Sequence, residues 1–278
     1  MFLVATVVNG QIFVADYQAD EIYKFNANGS YTPFAQTANF QPQYLAFDRQ
    51  GNLYASIVVG NQIQKFDSHG NASVFANTGL SQPESLAFDP NGNLYVANMA
   101  NNQILKYDSA GHSSVFSSFD INAAMGLAFD SGGTLYGALG GASEILKFDS
   151  NGNQSVFVHI GSCYNIAFAP NGILYAEDGS EIWKITPQGV ISPFASGATQ
   201  GGMSFDSAGN LYTVQYNHIT RYDPQGNASV FATGPSTYLS GIAIAPVPEP
   251  AACTLLAFSL CALLARRCRP RSGNPTSL

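Results

Sequence analysis

The chain has 278 residues, 46% of them hydrophobic and 10% charged, which is enough apolar material for one large β-domain or two ordinary ones. Its 27 Gly, 19 Phe and 14 Tyr favour short strands and tight turns over helices. The net charge of −7 conceals two regions: with Arg266, Arg267, Arg269, Arg271 and Glu249 set aside, seven cations face seventeen anions, a net of −10. A body this acidic repels a phosphate backbone, which argues against nucleic acid as a partner.

In chain order, one unit recurs six times. Its clearest copy is QPESLAFDPNGNLYVANMANNQILKYDSAGHSSVFS, from Gln82 to Ser117. An aromatic marks the second strand of each unit: Phe13, Tyr54, Tyr95, Tyr136, Tyr175 and Tyr212. A cation marks the third (Lys24, Lys65, Lys106, Lys147, Lys184, Arg221), and a Phe marks the fourth (Phe34, Phe75, Phe116, Phe157, Phe194, Phe231). The Phe markers step by 41, 41, 41, 37 and 37 residues. Each unit holds four short β-type runs separated by turns of the Asp-Pro-Asn-Gly-Asn and Asp-Ser-Ala-Gly kinds, where Asp and Asn tolerate turn geometry and Gly supplies positive φ. Four antiparallel strands per period of about 40 residues predict propeller blades. The predicted fold is therefore all-β: a six-bladed β-propeller of four-stranded antiparallel blades over residues 1–246, followed by a short C-terminal hydrophobic helix.

Spacing also predicts how the ring closes. The fourth-strand Phe and the next first-strand Phe lie 13 residues apart at Phe34–Phe47, Phe75–Phe88 and Phe116–Phe129. Thirteen residues beyond Phe231 is Ile244, so Gly241–Pro246 is expected to complete blade 1. The repeated cation is expected to snorkel or to pair with an Asp of the neighbouring blade. The body's one cysteine, Cys163, has no partner for an internal disulfide and is expected to pack as a small hydrophobe.

At one end of the blades the spacings are constant; at the other, where strands two and three and successive blades connect, lengths and compositions differ. Variable loops on a rigid scaffold are the usual place for function, so the binding face is assigned to this end. Residues expected at its axial mouth are Asp16, Tyr44, Glu84, Asn98, Tyr164, Asn165, Asp178 and Gln215. No catalytic cluster is apparent. Motifs such as Asp67-Ser-His-Gly-Asn hint at calcium loops but lack the later bidentate Glu, and turn formation explains them better.

The pattern GLAFD…GNLYVA…NNQILKYD, with Asn217-His218-Ile219 near the namesake tripeptide, resembles the NHL-repeat and gluconolactonase-like propellers across roughly residues 4–246. That architecture hosts lyases, lactonases and pure binding modules. The resemblance to gluconolactonases implies an axial divalent cation such as Ca²⁺, for which Asp16, Glu84 and Asp178, with Asn98 and Asn165, would supply oxygen ligands; the competing reading is solvated loop residues and no cofactor.

After the body come Val247-Pro248-Glu249-Pro250, the apolar stretch Ala251–Ala265, and a cluster beginning Arg266-Arg267. Fifteen apolar residues would span about 22 Å as a helix, short of the ~30 Å hydrocarbon core. Basic residues on the C-terminal flank predict that this end is cytoplasmic and the propeller outside. Residues 247–278 resemble a PEP-CTERM sorting signal, which implies processing by an exosortase-type enzyme in a Gram-negative bacterium that makes exopolysaccharide. The expected location is the cell envelope or beyond it, with transient inner-membrane anchoring through the tail. The start, MFLVATVVNG, lacks a basic n-region and enough apolar length for a secretory signal, so the true start is expected upstream. Two functional readings stay open: a binding or structural module, with polysaccharide or another surface protein as partner, and a metal-dependent lactonase- or lyase-like enzyme.

Overall fold

Alternation of apolar strand residues with Asp/Gly turns produces 24 strands among the described residues. The computed structural model describes residues 10–37, 41–119, 124–197, 201–236 and 238–246. The expected C-terminal helix and sorting signal lie outside the described residues, as do the first nine residues.

Blade 1 holds β1 (Ile12–Asp16), β2 (Glu21–Phe25) and β3 (Tyr31–Gln36). Blade 2 runs through β4 (Pro42–Phe47), β5 (Leu53–Ile57), β6 (Gln62–Phe66) and β7 (Ala72–Ala76). Blade 3 is β8 (Pro83–Phe88), β9 (Leu94–Asn98), β10 (Gln103–Tyr107) and β11 (Ser113–Ser118), with a 3-10 turn at Met99–Asn101. Blade 4 is β12 (Ala124–Phe129), β13 (Leu135–Leu139), β14 (Glu144–Phe148) and β15 (Gln154–His159). Blade 5 is β16 (Asn165–Phe168), β17 (Leu174–Glu177), β18 (Glu181–Ile185) and β19 (Ile191–Ser196). Blade 6 is β20 (Met203–Phe205), β21 (Leu211–Gln215), β22 (His218–Tyr222) and β23 (Ala228–Thr233), after which β24 (Leu239–Ile244) returns to blade 1.

Each blade is a four-stranded antiparallel sheet, and blade 1 has the order β24-β1-β2-β3. Ile244 stands opposite Ile12, as Phe47 stands opposite Leu53 in blade 2. The closing strand thus begins two residues earlier than the spacing suggested. The inner strands β4, β8, β12, β16, β20 and β24 each pack against the next, and β24 packs against β4. The ring is closed.

The three repeated markers meet at the blade interfaces. Tyr95 sits edge-to-face with Phe116 of its own blade at 4.9 Å and with Phe129 of the next at 5.0 Å. The same triad recurs with Phe13, Tyr54, Tyr136 and Tyr175 at its centre. Each such pair contributes about 0.5–1.5 kcal/mol beyond its burial. At the last interface Tyr212 meets Phe231 at 5.3 Å, and Ile244 packs where the third ring would stand.

Of the two expectations for the repeated cation, pairing with an Asp of the neighbouring blade is not seen among the described residues. Five lysines lie over the second-strand ring of their own blade, from 5.2 Å for Lys65 over Tyr54 to 5.8 Å for Lys24 over Phe13. The ring's negative face supplies the attraction. Lys65 also reaches Asp48 at 4.0 Å, within blade 2 itself, and Arg221 donates from Nη2 to Asn210.

The Asp-x-x-Gly-Asn motifs are turns. In Asp149–Asn153, Asp149 Oδ1 accepts from the Asn151 and Asn153 amides while Oδ2 accepts from Asn153 Nδ2. The Asn153 bonds hold the Asp149 carboxyl below the usual range. Glycine at the fourth position is required twice over in the outer turns. Gly152 has φ +85°, and a Cβ there would collide with the Phe116 carbonyl of the preceding blade. Gly92, in an inner turn, has the same φ of +85° but open space around it. Gly92→Ala should cost about 1 kcal/mol of left-handed strain, and Gly152→Ala at least about twice that, since the neighbouring blade must also move. Equal losses in chemical denaturation would show that the outer turn is not wedged against its neighbour.

Candidate functional site

At the variable-loop end, the inner strands depart from regular pairing. In blade 2, Gln43 and Tyr44 together oppose Ser56, because Pro42 pairs with Ile57 and Leu45 with Ala55. Blade 3 repeats this with Glu84 and Ser85 between the pairs Pro83–Asn98 and Leu86–Val96. Blade 1 does so with Ser240 and Gly241, and the register of blade 4 shifts between Ala124 and Gly126. A bulge re-aims the side chain of the extra residue, and here it occurs in the strands that line the axis.

The serines of these segments tie the inner strands together. Ser85 Oγ accepts from the Leu127 amide of blade 4 at 3.0 Å, and Ser240 Oγ donates to the Pro42 carbonyl of blade 2 at 2.9 Å. Ser56 Oγ accepts from the Tyr44 amide at 3.1 Å.

The bulges leave Tyr44 in electrostatic reach of Glu84, from the adjacent blade, and of Glu177, from blade 5. The Tyr44 hydroxyl is pushed far up, first by burial and then by the charges of Glu84 and Glu177. Glu84 is 5% exposed, its Oε2 has no hydrogen-bond partner, and burial pushes its carboxyl up to about 7. Asn165 Nδ2 donates to Glu177 Oε2 at 3.2 Å and to the Gly201 carbonyl at 2.9 Å.

The other expected mouth residues hold their own loops. Asp16, fully buried, accepts from the Gln18 and Ala19 amides through Oδ1. Asn98 accepts from the Ser81 amide at 2.6 Å and donates to the Gly79 carbonyl at 3.0 Å. Asp178 Oδ1 accepts from the Ser180 and Glu181 amides and from Ser180 Oγ, and its Oδ2 accepts from Trp183 Nε1 at 2.8 Å. Partial burial works to raise the Asp178 pKa, but these bonds outweigh it and the carboxyl titrates below its usual range. The Tyr164 amide donates to the Glu177 carbonyl, and Gln215 ends β21, half-buried, opposite His218.

Glu177 was missed by counting from the aromatic marker. Three residues beyond Tyr175 is Asp178, but β17 has only four residues and ends on Glu177, whose register partner is Asn165. The shortened hairpin of blade 5 was the available signal. Cys163 is fully buried beside it, and burial, then the Glu177 charge, pushes its thiol up to about 12, so it packs as an apolar group.

Asp16, Glu84 and Asp178 are not brought together as a ligand set. Among the described residues, no three His, Cys, Asp or Glu side chains are grouped to hold a metal ion. The donor set does not fit the divalent cation that the gluconolactonase resemblance implied. A cavity of about 640 Å³ opens at the opposite, constant-turn end, between Leu45, Asp48, Phe88, Asp89, Asp130 and Ile244. Its three aspartates cap their own turns.

No protein-family model and no curated protein sequence matches the chain. Solved structures do match its fold. A chain of the nidogen/laminin complex superposes with a TM-score of 0.77 at 17% identity, covering 85% of this chain and 98% of that one. A streptogramin B lyase gives 0.67 at 14% identity, covering 84% and 83%. A gluconolactonase from Xanthomonas campestris gives 0.63 at 14%, covering 84% and 87%. At such identities the likeness shows the six-bladed propeller and no more.

Glu84 makes stability depend on pH. Its folded-state pKa lies above the ordinary value, so folding favours the neutral form. That contribution is complete below about pH 4.5 and is lost as pH rises to about 7, amounting to about 3 kcal/mol. Glu84→Gln should melt above the parent at pH 8 and converge with it near pH 4.5. Thermal melts whose difference does not change across that range would contradict the assignment.

Proposed function

We propose that this chain is a binding or structural module, exported and associated with the cell surface or released from it, and acting in an exopolysaccharide matrix. The observation that carries this reading is the construction of the variable-loop rim. Asp16 through Oδ1, Asn98 through Oδ1 and Nδ2, and Asp178 through both carboxylate oxygens bond into their own loops, so these three loops of differing sequence are held in place over a common ring. Pre-organised loops bind without the entropic cost of ordering them first. The likeness to a chain of the nidogen/laminin complex, itself an assembly of two proteins, agrees with a recognition role.

The tail motif supports the location. Val247-Pro248-Glu249-Pro250, the apolar stretch 251–265 and Arg266-Arg267 resemble a sorting signal of the PEP-CTERM kind, so an exosortase-type enzyme is proposed to remove it at the inner membrane of a Gram-negative cell. Mass spectrometry of protein recovered from the envelope and medium should find the propeller without peptides from 251–265. Recovery of the intact tail in every fraction would replace release with permanent anchoring. Thermal melts of the propeller against exopolysaccharide fractions should show a stabilising shift, and indifference to all of them would count against the module.

A second reading has one specific observation in its favour. Glu84, its carboxyl raised to about 7, lies within electrostatic reach of Tyr44, whose hydroxyl also feels Glu177, and perturbed groups of this kind cluster at active sites. A lactonase- or lyase-like enzyme would use Glu84 to move a proton. Lactone hydrolysis that Glu84→Gln abolishes would support it. Addition of Ca²⁺ or Zn²⁺ to chelated protein, without change in melting or activity, would remove any metal from it.

A further inference from the structure

The connection between the second and third strands contains a residue with positive φ in every blade. Blades 1 to 5 use Asp20, Asn61, Asn102, Ser143 and Gly179, residues that enter this region easily or carry a short polar side chain. Blade 6 instead places Tyr216 there, at φ 51°, in the two-residue turn between Gln215 and His218. A bulky aromatic in left-handed backbone is strained, and its ring gains no burial in return: Tyr216 is 70% exposed. A local rule broken with no compensating packing points to selection for something other than the fold.

Two more tyrosines are fastened to the same spot by one peptide group. The Leu239 amide donates to the Tyr216 carbonyl at 2.8 Å, and the carbonyl of Tyr238, across the same peptide bond, accepts from the Tyr17 amide at 3.2 Å. The Tyr17 and Tyr238 rings lie 5.7 Å apart, tilted by 48°, and Tyr238 is 52% exposed. Tyr17 and Tyr216 occupy matching positions, directly after the second strands of blades 1 and 6, where blades 2 to 5 carry Val58, Met99, Gly140 and Asp178-Gly179. The aromatic surface is therefore local to the seam where the ring closes.

We propose that Tyr17, Tyr216 and Tyr238 form a platform for neutral carbohydrate, stacking the C–H faces of pyranose rings on the tyrosine rings. The proposal rests on the binding-module reading and names its ligand class. A pyranose has an apolar face of weakly positive hydrogens, which suits the negative face of an aromatic ring, and its rim of hydroxyls stays hydrated. Gln215, next to Tyr216, offers an amide to such hydroxyls, as do the tyrosine hydroxyls. Charge selects among glycans. Asp16, Asp20 and Glu21 flank the platform in blade 1, and the body carries a net −10, so polyuronates and sulfated chains are repelled while neutral ones are not.

The test is calorimetric titration of the protein with neutral hexasaccharides (cellohexaose, laminarihexaose and mannohexaose), with polygalacturonate and phosphatidylglycerol vesicles alongside. At least one neutral hexasaccharide should bind, and Tyr216→Asn and Tyr238→Ala should each weaken it by about tenfold or more. Tyr216→Trp should restore binding. Tyr216→Asn should also raise the melting temperature, by about 2 °C or more, because the strain is relieved. Loss of binding together with gain of stability separates a ligand-contacting residue from a structural one. Failure of all three neutral glycans to bind, or preference for the polyanion or the vesicles, overturns the proposal. Binding that Tyr216→Asn and Tyr238→Ala leave untouched overturns the platform while the module reading stands.

Discussion

The propeller depends on the wedge of aromatic side chains between successive sheets. A four-stranded sheet has two faces, and in a closed ring both must be covered by neighbours with the same sequence pattern. The second-strand ring supplies this by meeting the fourth-strand Phe of its own blade and the first-strand Phe of the next in edge-to-face geometry. At five of the six interfaces a lysine then covers the ring from within its own sheet, so one ring meets three partners there. The outer-turn glycines complete the contact by letting one blade's turn lie against the carbonyl of the last.

Polar groups in such a body have few places to go, and most serve the backbone. The turn aspartates satisfy amides that would otherwise be orphaned, and Asp16, Asn98 and Asp178 do the same for the longer loops. What remains for chemistry or recognition stands where regular structure breaks. The bulges turn Tyr44 and Glu84 out of the inner strands, and the left-handed turn of blade 6 turns Tyr216 outward. Both devices belong to the same end of the ring.

Much of this was legible in the sequence because the repeat is a packing code. Three series of markers, each with six members, correspond to six interfaces, and the spacing to Ile244 located the strand that joins blade 1. The site was legible only as a neighbourhood. Counting from Tyr175 chose Asp178 over Glu177, since a uniform count does not register a hairpin that ends one residue early. Nor does counting distinguish a carboxylate whose Oδ1 caps its loop, such as Asp16, from one that burial raises, such as Glu84. That difference arises from bulge geometry and burial. The cation series left its partner open because lysine can reach either a neighbouring carboxylate or a ring beneath it, and spacing along the chain is the same for both.

The pairing of β24 with β1 has a consequence for biosynthesis. Until Leu239–Ile244 has been made, β1 presents an unsatisfied row of amides and carbonyls on its inner side, a template for any stray strand. At ordinary rates of translation that interval lasts roughly 10–50 s. Of the six blades, the one whose second strand is made first is thus the last to be completed.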